Sequence, residues 1–429
     1  MTLRRLLPVV LAAAILLPAT GRAQDTTRSV RIGLTYASGT RPGVFVSPVS
    51  GTHADTIRAI LSRDLEYGDR VSVIAPDGGD PPAGAINYGL FGQIGAAALV
   101  QASMTPTGLL HVVLHDVSAA RVINVADFPM PGPALGPEWR MAVHAASDEV
   151  EYWITGQRGL SATRILFVRN QKMWSVDYDG ANAAVVPGLG AALSPAWHPS
   201  GRYVAYCEMA ADGTHIVIRD LVAGTSRHVA RVGGTNISPV FSPDGKTLVF
   251  AGGEDGIDLF SAPVVGNDPP IRVTVGRGSQ NMSPTFSPDS RRVAFTSNRL
   301  GHAEVYITDV DGTNVDLLTT TVTERNPYRS NPDWSHDGRR IAYQAQADGG
   351  FQVMTISLRD RLTSQLTSDG SNEDPSWGPD DRHMVFTSNR SGENQIWVLD
   401  TETFRSRQLT RVGSARMSSW SPRLVSPKQ

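Results

Sequence analysis

Beyond residue 160 the chain runs in short alternating stretches, among them RILFVR, YVAYCE, TLVFAGG, RVAFTS and EVYITDV, each broken by Gly, Pro, Asn or Asp. Apolar and polar positions that alternate with period two, between closely spaced turn residues, predict β-strands joined by tight turns. The stretches recur as one unit. SPAWHPSGRYVAY begins at Ser194, SPVFSPDGKTLVF at Ser238, SPTFSPDSRRVAF at Ser283, NPDWSHDGRRIAY at Asn331, DPSWGPDDRHMVF at Asp374 and a cut-off SSWSPRL at Ser418. Their aromatics, Trp197, Phe241, Phe286, Trp334, Trp377 and Trp420, stand 44, 45, 48, 43 and 43 residues apart. A period in the forties built of short strands predicts propeller blades. In each unit the aromatic ends an inner strand, a Pro-Asp-Gly-like stretch turns the chain, and a middle strand follows.

The sixth copy stops after its inner strand, whereas residues 165–188 carry the later strands of a blade with no inner-strand motif before them. The C-terminal strand is therefore expected to complete the first blade, pairing two edges that would otherwise invite aggregation. The expected fold is an α/β N-terminal domain followed by an all-β six-bladed β-propeller over residues 160–425, closed by the C-terminal strand.

Residues 24–157 lack the period. SVRIGLTY and RVSVIA predict strands, and HADTIRAILSRDL predicts a helix with Ile57, Ile60, Leu61 and Leu65 on one face. AINYGLFGQI predicts a second helix, and AAALVQASM, LLHVVLHDV and RVINVADFP three more strands. In PEWRMAVHAASDEVEYWITG, Trp139, Val143, Ala146, Val150 and Trp153 recur at helical spacing. The first 23 residues follow another pattern: Arg4 and Arg5, an apolar run from Leu6 to Ala19, then Gly21-Arg22-Ala23. The run is shorter than the roughly 20 residues of a membrane span, so residues 1–23 predict a signal peptide and a mature chain outside the cytoplasm.

A formal charge of -2 with no block of like charge gives no argument for nucleic acid, and direct membrane insertion is not expected. The only cysteine, Cys207, lies in a strand pattern and reads as a buried apolar residue. Hydrolase chemistry would need G-x-S-x-G, and a zinc enzyme HExxH or a Cys/His cluster; the sequence has none of these. His111 and His115 share a strand face without an evident third ligand, and Asp177 with Asp179, and Asp309 with Asp311, read as turn residues. No catalytic residue, metal or cofactor is expected.

The export signal, the α/β domain, the segment WRMAVHAASDEVEYWITGQRGLSATRILFV, the six SP-x-W/F-SPDG units and the closing SSWSPRL together resemble the TolB family, the periplasmic component of the Tol-Pal envelope system, over essentially the whole chain. The resemblance implies a monomeric, non-enzymatic scaffold that supports outer-membrane integrity and constriction at cell division. It implies a propeller rim docking a peptidoglycan-associated lipoprotein, Pal-like, through Thr235, Asn236, Ile237, Asn281 and Met282, with Ser330, Asn372, Glu373 and Met417 by blade symmetry. It also implies a mobile mature N-terminus, Gln24, Asp25, Thr26, Thr27, Arg28, Ser29, Val30, Arg31 and Ile32, engaging a TolA-like inner-membrane protein. Several rim positions depart from the family's commoner residues. The alternative is a propeller that binds a small ligand, glycan or peptide in its channel, with a propeller-containing peptidase relative behind it.

Overall fold

The computed structural model describes Leu34 and residues 40–75, 79, 85–229, 231–276, 278–319, 328–347 and 349–425. Residues 1–23, read as a signal peptide, residues Gln24 to Ile32 and most of SVRIGLTY lie outside the described residues. Among those described, no helix is long and apolar enough to cross a membrane.

In the N-terminal region, β1 (Gly43–Val46), β2 (Ser72–Val73), β3 (Ala98–Met104), β4 (Leu109–Asp116) and β5 (Arg121–Pro129) form one sheet in the order β2-β1-β3-β4-β5. β1 runs parallel to both neighbours, and the other pairs are antiparallel. Helix α1 (Ala54–Tyr67) buries Ile57, Ile60, Leu61 and Leu65, as its periodicity predicts, and Asp64 with them. A short α2 spans Tyr88–Gln93. Helix α3 (Pro137–Thr155) opens on a proline, whose missing N–H costs nothing in a first turn, and ends at Gly156 with φ 75°, a conformation that favours glycine.

Two faces of α3 are buried. Trp139, Val143, Ala146, Val150 and Ile154 join the apolar core with α1 and the sheet. His144, Ser147, Asp148 and Glu151, at the helical spacings i, i+3, i+4 and i+7, form a second buried face that is entirely polar. Asp64 of α1 accepts from His144 Nδ1 (2.8 Å) and Ser147 Oγ (2.7 Å). Asp148 accepts from the backbone N–H groups of Ser161 (2.6 Å) and Ala162 (3.0 Å) and so fixes the strand entry that follows. Burial nevertheless pushes the Asp148 carboxyl up to about 7.

Six four-stranded antiparallel sheets follow. The first blade joins Ala415–Trp420 to Arg164–Arg169, Lys172–Asp177 and Ala184–Val185. The second to sixth open with inner strands Ala192–Trp197, Thr235–Phe241, Asn281–Phe286, Arg329–Trp334 and Asn372–Trp377. The closing pair runs antiparallel from Ala415 opposite Arg169 to Trp420 opposite Ile165. Each of the six apolar clusters in this part straddles two consecutive blades, so the core is a ring of wedges. Trp420 shows the wedge role: its indole N–H donates to Thr163 Oγ1 (2.9 Å) and its ring lies 5.6 Å from that of Tyr178.

The α/β region sits on the turn ends of the first and sixth blades. Arg63 and Arg140 both donate to Asp179 Oδ2 (2.9 and 2.7 Å), and Tyr178 Oη donates to the Tyr67 carbonyl (2.7 Å). Arg405 pairs with Asp69 (2.7 Å). Arg70 lies at the centre, bridging Glu151 of α3 (2.9 Å) and Asp380 of the sixth blade (2.6 Å). Its guanidinium and His383 hold Asp380 far below the usual carboxylate range. Removing one member of a buried ion pair strands its partners. Arg70→Ala is therefore expected to destabilise the fold by about 3–5 kcal/mol in chemical denaturation, with Arg70→Lys recovering part of the loss.

Candidate functional site

Every inner strand carries the same irregularity. The pairing of inner and second strands slips by a residue in all six blades, at an S/N/D-P dipeptide in the second to sixth and at Met417-Ser418 in the first. The residue at the slip is left-handed in each: Ser194 (φ 47°), Ser238 (51°), Ser283 (49°), Asn331 (50°) and Asp374 (52°), each before a proline, and Met417 (56°) before Ser418. Asparagine and aspartate accept this conformation readily and serine less so, and a Met there is uncommon. The six bulges turn these residues, with the five prolines and Ser418 that follow them, toward the axis, where they line a channel of about 270 Å³.

The channel wall is uneven. On the second and third blades it offers Pro195, Ala196, Pro239 and Val240; on the fifth and sixth, Asn331, Asp333, Asp374 and Ser376. The polar side is stitched from blade to blade. Ser283 Oγ donates to Asn331 Oδ1 (2.8 Å), and Asn331 Nδ2 to Asp374 Oδ1 (2.7 Å). Thr285 Oγ1 donates to Asp333 Oδ1 (3.3 Å) and the Trp377 N–H to Asp333 Oδ2 (2.7 Å). Burial raises both carboxyls above their usual range, Asp333 to about 6.

The expected rim residues divide into two sets. Thr235, Ile237, Met282, Glu373 and Met417 are half-buried on the side where the inner strands begin, away from the α/β region. Asn236 (1% exposed), Asn281 (0%), Asn372 (0%) and Ser330 (4%) are buried, contrary to the expectation of side chains presented at a rim. The asparagines instead tie loops to strands. Asn236 Nδ2 donates to the Val232 and Gly234 carbonyls (3.0 and 3.1 Å), and Asn372 Nδ2 to Gln352 Oε1 (2.8 Å).

The TSNR stretches explain two of these asparagines. Arg299 donates to Asn281 Oδ1 (3.1 Å) and Arg390 to Asn372 Oδ1 (2.8 Å), each also bonding the serine two residues before it (3.0 Å in both cases). Their guanidiniums lie over Phe295 and Tyr306, and over Phe386 and Trp397. The repeated TSNR is thus a clamp within a blade. A match between Asn and Arg 18 residues apart was present in the sequence, but only the register of the first two strands shows that they meet.

The residues weighed for metal or nucleophilic chemistry have other partners. His111 pairs with Asp127 (2.7 Å), whereas His115 is buried between Tyr88 Oη (2.9 Å) and Gln101 (3.0 Å). Asp179 and Asp311 accept the backbone N–H two residues on (3.0 Å each), closing turns. Burial pushes the Cys207 thiol up to about 11. Among the described residues, donor atoms of Asp64, His144 and Asp179, and of Asp69, His383 and Asp400, lie within 4.8 Å of one another. Guanidiniums already pair with carboxylates in both groups, Arg63 and Arg140 with Asp179, Arg405 with Asp69 and Arg382 with Asp400, which makes them interface ion networks.

Comparison with known proteins places these features. The family model described as the TolB beta propeller domain matches residues 152–424. The Tol-Pal system protein TolB of Francisella tularensis subsp. mediasiatica is 26% identical over 243 residues, 53% of this chain and 55% of that protein. Its counterpart from Chromobacterium violaceum is 26% identical over 254 residues, 55% of this chain and 56% of the relative. The chain thus spans about half the length of the curated relatives it matches. The crystal structure of TolB from Acinetobacter baumannii superposes with a TM-score of 0.76 at 23% identity, covering 89% of this chain and 97% of that one. Kuenenia stuttgartiensis hydrazine synthase superposes at 0.51 with 14% identity, covering 61% and 47%, so the propeller fold alone does not carry a function.

Asp333 gives a pH test of the channel wall. Its folded value of about 6 lies above its ordinary 3.8, so the folded protein holds this proton more tightly than the unfolded chain does. The stabilisation is fully present below the ordinary value and is lost as pH rises through the folded one. Denaturation of the wild type and of Asp333→Asn from pH 4 to 7 should show the variant gaining stability relative to the wild type as pH rises.

Proposed function

Because the chain belongs to the TolB β-propeller family, we propose that it is a non-enzymatic periplasmic scaffold of a Tol-Pal-type envelope system. In this reading the channel mouth on the strand-start side docks a peptidoglycan-associated lipoprotein. The segment from Gln24 to Ile32 engages a TolA-like inner-membrane protein, and the assembly supports outer-membrane integrity and constriction at division. The observation that carries the docking surface is the placement of the α/β region on the turn ends, through Arg70, Arg63 and Arg405. That leaves the half-buried Thr235, Ile237, Met282, Glu373 and Met417 around the other mouth. Adaptable Met and mixed polar side chains suit a protein partner.

A second reading, a small ligand or short peptide in the channel, is favoured by the polar wall of Asn331, Asp333 and Asp374. The two readings separate in a pull-down from solubilised envelope. Glu373→Arg and Met417→Glu, both half-buried, are preferred to changes at the buried asparagines, whose loss would disturb the loops. The scaffold reading expects a peptidoglycan-associated lipoprotein to be recovered by the wild type and by a chain starting at Ile32, with recovery reduced at least tenfold by either rim change. Recovery that ignores both rim changes, or none from the wild type, would contradict it.

A further inference from the structure

Away from the channel and the α/β interface, the second blade gathers two histidines and two carboxylates at one corner. Glu208, in strand Tyr203–Ala210, stands directly opposite His215, in strand Gly213–Asp220; His228, in strand Ser226–His228, stands opposite Val217, two residues along from His215. Strand periodicity puts the three side chains on one face of three adjacent strands. Asp212, in the turn between the first two strands, reaches the same corner.

The two imidazole rings have centres 5.4 Å apart and are tilted by 54°. Each is held through Nε2 by its own carboxylate, His215 by Asp212 Oδ1 (2.8 Å) and His228 by Glu208 Oε2 (3.1 Å). A carboxylate only accepts, so Nε2 carries the proton in both rings, and the neutral ring presents its lone pair at Nδ1. Among the described residues neither Nδ1 has a hydrogen-bond partner. A ring anchored to a carboxylate through one nitrogen, with the other nitrogen free, is the arrangement in which histidines ligate metals. Two imidazoles on one tetrahedral ion, with nitrogen–metal bonds of about 2.0–2.1 Å, have ring centres roughly 5 Å apart, close to the spacing here.

We propose that His215 and His228 form a two-imidazole site for a divalent transition-metal cation, represented by zinc, with Asp212 and Glu208 orienting the rings. Two imidazole donors select zinc, nickel or copper over magnesium or calcium, which prefer oxygen. The local charge agrees: two carboxylates face one guanidinium, that of Arg231, 3.1 Å from Asp212. The His228 side chain is 63% exposed, so a cation enters directly from solvent. Glu208 is paired with Ala192 at the beginning of the inner strand, which puts the site on the strand-start side of the propeller, outward from the channel.

The test is equilibrium dialysis of the purified protein against zinc, with bound metal counted per chain and magnesium as the control. The wild type should hold one zinc per chain at micromolar free metal and no magnesium. His215→Gln and His228→Gln should each weaken zinc binding at least tenfold, and Asp212→Asn by about tenfold or more if it orients the ring. Unchanged circular dichroism would show that these surface variants still fold. Zinc retained by both histidine variants, zinc lost instead from His144→Gln in the interface network, or no binding up to millimolar zinc would each overturn the assignment.

Discussion

Ring closure is the constraint on which the rest of this molecule depends. Five blades are each made from one continuous stretch of chain, but the first takes its inner strand, Ala415–Trp420, from the far end of the sequence. Without that strand, Arg164–Arg169 would present an unpaired inner edge, and the wedge formed by Trp420, Tyr178 and Val398 would open to water. The six apolar clusters between blades form a continuous ring, so a gap at one seam exposes the two clusters beside it. Long-range pairing of this kind closes only after the intervening blades are formed, because the loop it spans is nearly the whole propeller.

Closure also explains why the repeats look alike and where they are free to differ. The wedge aromatic, the turn and the arginine clamp of Arg299 or Arg390 serve blade packing. The bulge in each inner strand turns a left-handed residue to the axis, and its side chain, Ser, Asn, Asp or Met, sets the local character of the channel. The polar face of α3 then seats the α/β region on the turn ends through Asp148 and through Glu151 with Arg70. The proposed docking surface lies on the other side, where Glu373 and Met417 are half-buried at the strand starts and Met282 also packs against the seam between the third and fourth blades.

Much of the fold was legible because it is periodic. The aromatic spacing marked six blades, and the truncated last unit signalled that the ends share a blade; the alternation in β3 to β5 and the stripes of α1 and α3 located those elements, whereas β1 (Gly43–Val46) was not among the predicted strands. What escaped was set by contacts between distant residues. Asn281 and Asn372 looked like loop residues suited to a rim, yet strand register brings Arg299 and Arg390 onto them and buries both. The left-handed bulges were written in the S/N/D-P dipeptides, but a residue before proline reads locally as extended. The polar face of HAASDEV had no visible counterpart, because Asp64, Arg70 and the linker at Ser161 lie far from it in sequence.

The central claim is that the strand-start mouth of the propeller is the partner surface while the turn side is committed to the α/β region. Site-specific photo-crosslinking in intact envelopes tests it most directly, with the crosslinker placed at Glu373 beside that mouth or at Asp244 in a turn of the third blade. The account predicts an adduct to a peptidoglycan-associated lipoprotein from Glu373 and none from Asp244. An adduct from Asp244 alone, or from neither position, would contradict it.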